Sequence, residues 1–146
     1  MSATGSEDRF TKSTREAIAH AKKSVLQYKY SHITPEHILL GLIRGGDATV
    51  LKAMRTGRAT PEQIRVLLEH HLRVGDYELT EEELAFSERA KRVIEAAREE
   101  CGRAQKPQIA PEHILLGLTR VRNTVAGAVL AAVDLNMETV RKALAL

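Results

Sequence analysis

Pro35-Glu36-His37-Ile38-Leu39-Leu40-Gly41-Leu42 returns without a single change as Pro111-Glu112-His113-Ile114-Leu115-Leu116-Gly117-Leu118, 76 residues further on. Eight identical consecutive residues do not arise by chance in a chain of 146. The same ungapped offset pairs Phe10 with Phe86, Ile18 with Ile94, Ala21 with Ala97, Ile33 with Ile109, Glu62 with Glu138 and Ile64 with Val140. The chain therefore reads as two copies of one unit, over 10–73 and 86–146. Residues 74–85 are an acidic connector and residues 1–9 a flexible N-terminal tail. Two units are too few for an open solenoid, which needs about three. The expectation is that both halves pack on each other in one pseudo-symmetric domain.

Each unit reads as four helices. Thr11 can cap a helix whose apolar positions Ala17, Ile18, Ala21, Val25 and Leu26 follow the helical period. Phe10, just before the cap, is placed to fold back on the first turn as a staple. Thr34-Pro35 starts a second helix. Proline at the first helical position lacks an N–H that would be orphaned anyway, and it holds Thr34 extended, as an N-cap requires. Ile38, Leu39, Leu42 and Ile43 form its apolar stripe, and Gly45-Gly46 ends it. Gly41 sits inside this helix at a cost of about 1 kcal/mol relative to alanine. Its recurrence as Gly117 points to a helix crossing too close for a side chain. Ala48 to Arg55 is a short third helix ended by Gly57. Thr60-Pro61 starts a fourth, with Ile64, Leu67, Leu68 and Leu72 inward.

The second unit repeats the plan near 87–103, 111–121, 124–134 and 137–145, with Asn136 capping the last helix. Ala110 stands where the first unit has Thr34, so that helix loses its side-chain cap. Thr80 and Glu83 make a capping box in the connector, and the turn they start is expected to run on into the helix after Phe86. No segment alternates as a strand does. The fold class is all-α: a pseudo-two-fold tandem repeat of two four-helix units in one compact domain.

Composition narrows the function classes. Aromatic residues make up 3%, with no tryptophan, so the stacking platforms of single-strand nucleic-acid binders are missing. The one cysteine, Cys101, excludes an internal disulfide and any multi-cysteine metal or cluster site. No apolar run approaches the ~18 residues of a membrane span, and Met1 to Arg9 has no apolar signal core. The expected location is the cytoplasm. The net charge of +3 hides a pattern: eleven basic against five acidic residues in 10–73, five acidic and none basic in 74–85, ten basic against seven acidic in 86–146. Two basic halves suggest a helical nucleic-acid-binding protein as one alternative. Lysine and arginine are, however, interleaved with glutamate at helical spacing, the pattern of solvated faces.

Catalytic equipment is hard to find. There is no phosphate-cradling glycine loop and no His-Glu-x-x-His pair. His37 and His113 fall in first turns of equivalent helices, where packing explains them better than a metal. His70 and His71 point to different faces. Cys101 aligns with Val25 on an apolar stripe and reads as a small buried hydrophobe. No cofactor and no metal site are expected, and no enzyme. Glu36 and Glu112 remain, one per half, at equivalent helix starts. Each can simply favour the helix dipole, by about 0.3–1 kcal/mol. Their duplication raises the other reading, twin sites for a cation, with a guanidinium the best geometric match to a carboxylate.

Phe10-Thr11 and Phe86-Ser87 at helix starts, each followed some two dozen residues later by Glu-His-Ile-Leu-Leu-Gly-Leu, make a doubled unit that resembles the Clp N-terminal (Clp repeat) domain, most like its ClpC branch. The resemblance covers about residues 10–145. It implies two four-helix repeats in one all-α domain that docks adaptor proteins or degradation substrates beside a Clp AAA+ unfoldase, so that Clp unfoldase or protease subunits are expected partners. It also implies recognition of phosphorylated arginine, a degradation mark, by the motif glutamates, Glu36 and Glu112. Thr11 and Ser87 are then helix N-terminal phosphate contacts. Departures are visible. Where ClpC-type motifs usually read Gly-Thr-Glu-His, this chain has Thr34-Pro35-Glu36-His37 and Ala110-Pro111-Glu112-His113, so each proline removes a backbone donor and a hydroxyl. The acidic run that often follows the motif is Arg44-Gly45-Gly46-Asp47 here and Arg120-Val121-Arg122-Asn123 in the second copy. The resemblance fits an isolated N-domain or a stand-alone Clp-repeat protein, and the divergence of both motif copies favours the stand-alone form slightly.

Overall fold

A computed structural model describes residues 9–145 as eight α-helices and one short 3-10 turn. The first repeat holds α1 (Lys12–Tyr28), α2 (Pro35–Gly45), α3 (Ala48–Met54) and α4 (Pro61–His71). The 3-10 turn spans Glu81–Glu83, and the second repeat follows as α5 (Glu88–Arg103), α6 (Pro111–Arg120), α7 (Val125–Ala132) and α8 (Met137–Leu144). Met1 to Asp8 of the expected tail lie outside the described residues. The helix starts are made by their caps. Thr11, Thr34, Asp47, Thr60, Ser87, Thr124 and Asn136 each accept a backbone N–H of the first turn. Gly46, at φ 70°, closes α2 in the left-handed region that glycine tolerates. Ala110 makes no side-chain cap, as its sequence requires.

Two backbone straps hold the repeats together, and each is the image of the other. Phe10 bridges Ile109, and Phe86 bridges Ile33. In the first strap the Thr11 N–H donates to Ile109 O (3.1 Å) and the Ile109 N–H to Arg9 O (2.7 Å). In the second the Ser87 N–H donates to Ile33 O (2.9 Å) and the Ile33 N–H to Ala85 O (2.9 Å). At the other end Arg58 N–H donates to Val133 O at 2.8 Å, and a Cβ on Gly57 would lie 2.6 Å from that oxygen. Gly57 and Val133 are themselves equivalent positions, so the pseudo-two-fold axis passes between them. Around it α4 packs on α7, α3 on α8 and α2 on α6. One continuous core results, with Leu39, Leu40, Ile64, Leu68, Leu115, Leu118 and Leu130 fully buried.

The repeated glycine is explained by a backbone contact. A Cβ on Gly41 would stand 2.2 Å from Ala17 O, and one on Gly117 2.5 Å from Val93 O. Ala17 and Val93 are equivalent, as are the next neighbours, Ala21 and Ala97. The α1–α2 and α5–α6 crossings are thus the same joint made twice.

Three local expectations change. Phe10 does more than sit beside its own first turn: it also bridges Ile109 of the other repeat. The fourth helical position is Arg15, whose Nη1 donates to Phe10 O (2.8 Å), and Phe10 is buried at the strap. The Thr80–Glu83 box forms, with Thr80 N–H donating to Glu83 Oε1 (2.8 Å), but its turn does not run into α5. Leu84 is extended (ψ 136°), which lets Ala85 and Phe86 reach Ile33; a continuing helix would carry them away from it. Leu67 is not inward. The inward stripe of α4 is Pro61, Ile64 and Leu68, and Leu67, one residue round the helix from Leu68, is 40% exposed.

Charged residues pair extensively. Glu100, buried on α5, accepts from Arg141 (2.9 and 3.0 Å) and Arg120 (3.2 Å), while Arg120 also reaches Glu99 (2.7 Å). In the first repeat the position of Glu100 is Ser24, and the matching arginines, Arg44 and Arg65, pair with Glu69.

Candidate functional site

The second strap assembles the candidate site. By tying Ser87 to Ile33 it lays the start of α5 beside the start of α2. The packing of α2 on α7 brings in the start of α7. Between them is a pocket of about 260 Å³ lined by Thr34, Pro35, Glu36, Ser87, Glu88, Arg89, Thr124 and Val125. Two residues chosen from the sequence, Glu36 and Ser87, therefore meet across the repeat boundary although 51 positions separate them.

Glu36 is half-buried, and its carboxylate is in use. Oε2 accepts the Ala126 N–H at 3.0 Å. That N–H belongs to the first turn of α7, where the four leading donors have no intrahelical acceptor. Thr124 caps the next one, accepting the Gly127 N–H at 2.9 Å. A carboxylate from one repeat thus serves as the anion at a helix start of the other. Ser87 Oγ accepts the Ala90 N–H (3.1 Å), and Thr34 Oγ1 lies 2.7 Å from His37 Nδ1. Arg89 is exposed and makes no ion pair among the described residues. Pro35 supplies no N–H, so the donors around the pocket come from Arg89 and the α7 start rather than from α2.

The histidines of the motif are structural. The Thr34 N–H donates to His37 Nδ1 (3.1 Å) and the Ala110 N–H to His113 Nδ1 (2.9 Å). A backbone N–H can only donate, so each Nδ1 is unprotonated and each ring is neutral. Burial pushes His37 down from 6.5 to about 4 and lowers His113 as well, there against the opposing pull of Glu112 and Glu100. His37 Nε2 is buried with no hydrogen-bond partner, and the ring meets Tyr30 edge-on at 4.8 Å. His37 thus completes a capping box with Thr34, and His113 makes only the reciprocal half of one at Ala110, a role the doubled Glu-His signals once each imidazole is seen as the third residue of its helix.

Glu112 occupies the image position on α6 and is half-buried. It accepts no hydrogen bond and makes no ion pair among the described residues. Thr11 caps α1, and its N–H bond to Ile109 O sets it beside the segment leading to Glu112. The helix α3 contacts α6, and its start is capped by its own Asp47, Oδ2 accepting the Val50 N–H at 3.1 Å. Val50 is the equivalent of Ala126, so the donor that Glu36 satisfies in one half is satisfied locally in the other. Arg89, Thr124 and Val125 were not legible as pocket residues. Their counterparts in the other half are Ser13, Ala48 and Thr49, and nothing in the motif marks them.

A larger cavity, about 360 Å³, opens between α1 and the connector. Its floor is Phe10, Ile18, Ile33, Leu84 and Phe86, with Arg15 and Lys22 at the rim. His70 and His71 are exposed on the last turn of α4 with ring centroids 6.3 Å apart. Cys101 is buried, its thiol donating to Lys106 O (3.2 Å) and pushed up in pKa by burial. Among the described residues no three His, Cys, Asp or Glu converge on a metal position, and no single helix is long and apolar enough to cross a membrane.

An all-helical domain of two cross-strapped four-helix repeats, with motif glutamates at equivalent helix starts, is the architecture of a Clp-type N-terminal domain. The family model for the Clp repeat (R) N-terminal domain matches residues 9–144, and the chain belongs to that family. It is 32% identical over 133 residues to the ATP-dependent Clp protease ATP-binding subunit ClpC of Staphylococcus saprophyticus, and to the same extent to that of Staphylococcus aureus. Each match covers 91% of this chain and 16% of the relative, so the chain spans about a sixth of their length. Among solved structures, the N-terminal domain of ClpD from Arabidopsis thaliana superposes with a TM-score of 0.72 at 29% identity, covering 94% of this chain and 95% of that one. The Hsp104 N-terminal domain of Candida albicans, at 20% identity and a TM-score of 0.74, shares the fold over 92% of this chain and 88% of its own.

Proposed function

We propose that the chain is a non-catalytic docking domain of a cytoplasmic Clp proteolytic system. It receives adaptor proteins or degradation substrates for a Clp AAA+ unfoldase, and Glu36 and Glu112 recognise phosphoarginine. The units 10–73 and 86–146, joined by 74–85, act as the halves of this domain. The observation that carries the reading is the inter-repeat pocket, where Glu36, seated on the start of α7, shares the lining with Arg89 and Glu88. A carboxylate is the geometric partner of a guanidinium, and a helix start with an arginine beside it favours a phosphate. The apolar cavity beside α1, rimmed by Arg15 and Lys22, gives a polypeptide a second surface to grip. The nucleic-acid alternative loses support because several of the cations that suggested it are tied to carboxylates: Arg65 to Glu62 and Glu69, Arg98 to Glu95, Arg120 and Arg141 to Glu100.

The test is calorimetry with free phosphoarginine, with arginine and phosphate as controls. Binding of phosphoarginine that the double variant Glu36→Ala, Glu112→Ala abolishes supports the reading. No heat with the wild-type domain refutes the phosphoarginine site. Failure to retain any Clp subunit, adaptor or protease substrate in a pull-down refutes the docking role.

A further inference from the structure

The last helix is held differently from its image in the first repeat. There α4 buries Pro61, Ile64 and Leu68, and Leu72 is buried just beyond it. The matching positions of α8 are Met137, Val140 and Leu144, and of these only Val140 is buried. An open cavity of about 450 Å³, lined by Thr119, Arg120, Arg122, Asn136, Met137 and Glu138, lies between the end of α6 and the start of α8. Beyond Val140, charge ties α8 down: Arg141 Nη2 donates to both oxygens of the buried Glu100 on α5, at 2.9 and 3.0 Å. Arg65, the image of Arg141, makes no such tie. It pairs with Glu62 and Glu69 of its own helix, and Ser24 stands at the position of Glu100. The ion pair that α4 makes with another helix, Arg44 to Glu69 at 3.5 Å, is the longer one.

We infer that α8 is a latched lid: it opens alone about a fixed pivot, and the Arg141–Glu100 pair holds it shut. The pivot is pinned to the first repeat. Leu135 is buried, the Arg58 N–H donates to Val133 O (2.8 Å), and Arg58 Nε donates to Asp134 Oδ2 (2.9 Å). Asp134, at φ 65°, takes the left-handed conformation that turns the chain from α7 towards α8. The latch can release without stranding a charge. When Arg141 leaves, Glu100 still has Arg120, whose Nη1 lies at 3.2 Å, so no buried carboxylate is left unpaired. Once released, α8 has eight residues, too few for a stable isolated helix in water, so opening also unfolds that segment. It uncovers the sides of α3 and α6 on which α8 packs. The domain thereby has a second state, in which seven helices stay folded and that surface is open.

Hydrogen exchange read by mass spectrometry on the full chain tests this. In the wild type the amides of 137–145 exchange ahead of those of α2 and α6. Their rate is insensitive to low urea, as a small local opening exposes little surface. Arg141→Gln removes the latch at a side chain that is 39% exposed. It speeds exchange in 137–145 by about 10- to 100-fold while α2 and α6 keep their protection, which also shows that the fold is kept. Arg141→Lys keeps the charge without the forked geometry and falls between the two. Arg65→Gln, the image change, leaves 61–71 protected, because Ile64 and Leu68 hold α4. Exchange of 137–145 in step with α2 and α6 in the wild type overturns the inference. So does an Arg141→Gln variant with unaltered exchange in 137–145, or one that loses protection throughout the domain. An equal opening of α4 in Arg65→Gln overturns it as well.

Discussion

Replacing Gly41 by alanine tests the joint on which both repeats are built. The added Cβ would lie 2.2 Å from Ala17 O, 3.0 Å from Ala21 N and 3.1 Å from Ala21 Cβ, whereas ordinary contacts begin at 3.4 Å. The nearest two atoms are backbone, so no side chain can rotate away, and α1 and α2 must part by roughly 1 Å at their crossing. That gap opens beside Ala21, Leu40 and Leu42, all buried to 1% exposure or less. Overpacking of this kind costs typically 1–3 kcal/mol, and more where the backbone itself must move. Against it stands the gain of about 1 kcal/mol from alanine's helix propensity. The net expectation is a loss of about 2 kcal/mol, which lowers the urea midpoint by about 1 M for a slope of 1–3 kcal/mol per molar. Gly102→Ala is the control. Gly102 lies near the end of α5, nothing stands within 4 Å of its Cβ position, and the same propensity gain acts unopposed there. The chain has no tryptophan, so unfolding is followed by far-ultraviolet circular dichroism. Gly41→Ala and Gly102→Ala should move the midpoint in opposite directions. If both raise it, the close-crossing argument is wrong.

Two further perturbations read other parts of the structure. His37 is neutral in the fold with its pKa lowered to about 4 by burial, against 6.5 when unfolded, so its contribution is fully present above pH 6.5 and is lost as the pH falls towards 4. The loss across that window is about 3 kcal/mol. A Gln at position 37 can hold the Thr34 N–H as Gln63 holds that of Thr60 (2.9 Å), so His37→Gln should flatten the stability profile between pH 7 and 4, and parallel profiles would refute the assignment. Ala110→Thr should restore the cap that α6 lacks, because Ala110 (φ −95°, ψ 165°) already has the backbone of Thr34 (φ −98°, ψ 166°). A gain of about 1 kcal/mol, seen as a rise of some 2–4 °C in Tm, is expected, and an unchanged Tm would show that the hydroxyl finds no first-turn N–H.

Much of the candidate site was legible because it rests on local chemistry. Glu36 is placed at a helix start by Thr34-Pro35, and Ser87 is placed at another by its own cap; neither needs the rest of the chain. Their meeting was not legible. It depends on the Ser87–Ile33 strap, formed between segments with no alternation and only a single bridged pair. The partner of Glu36 was hidden for a related reason. Whether its carboxylate points to solvent or to Ala126 depends on how α2 and α7 cross, and a helical period carries no information about that.

By itself the sequence determined the tandem repeat, the all-α class, the four helix starts in each half and the glycines that mark the crossings. All of these follow from an exact internal match or from preferences that act within one turn of helix. Only the tertiary structure decided that the connector turn stops at Leu84, that Leu67 faces outward, and that Phe10 bridges Ile109 of the opposite repeat. It alone showed that, of two glutamates in an identical octapeptide, Glu36 accepts the Ala126 N–H of the other repeat while Glu112 accepts no hydrogen bond among the described residues. The physical reason is common to all four. Each depends on a group that approaches through space from the other half of the molecule, and an identical local sequence cannot specify what stands opposite it.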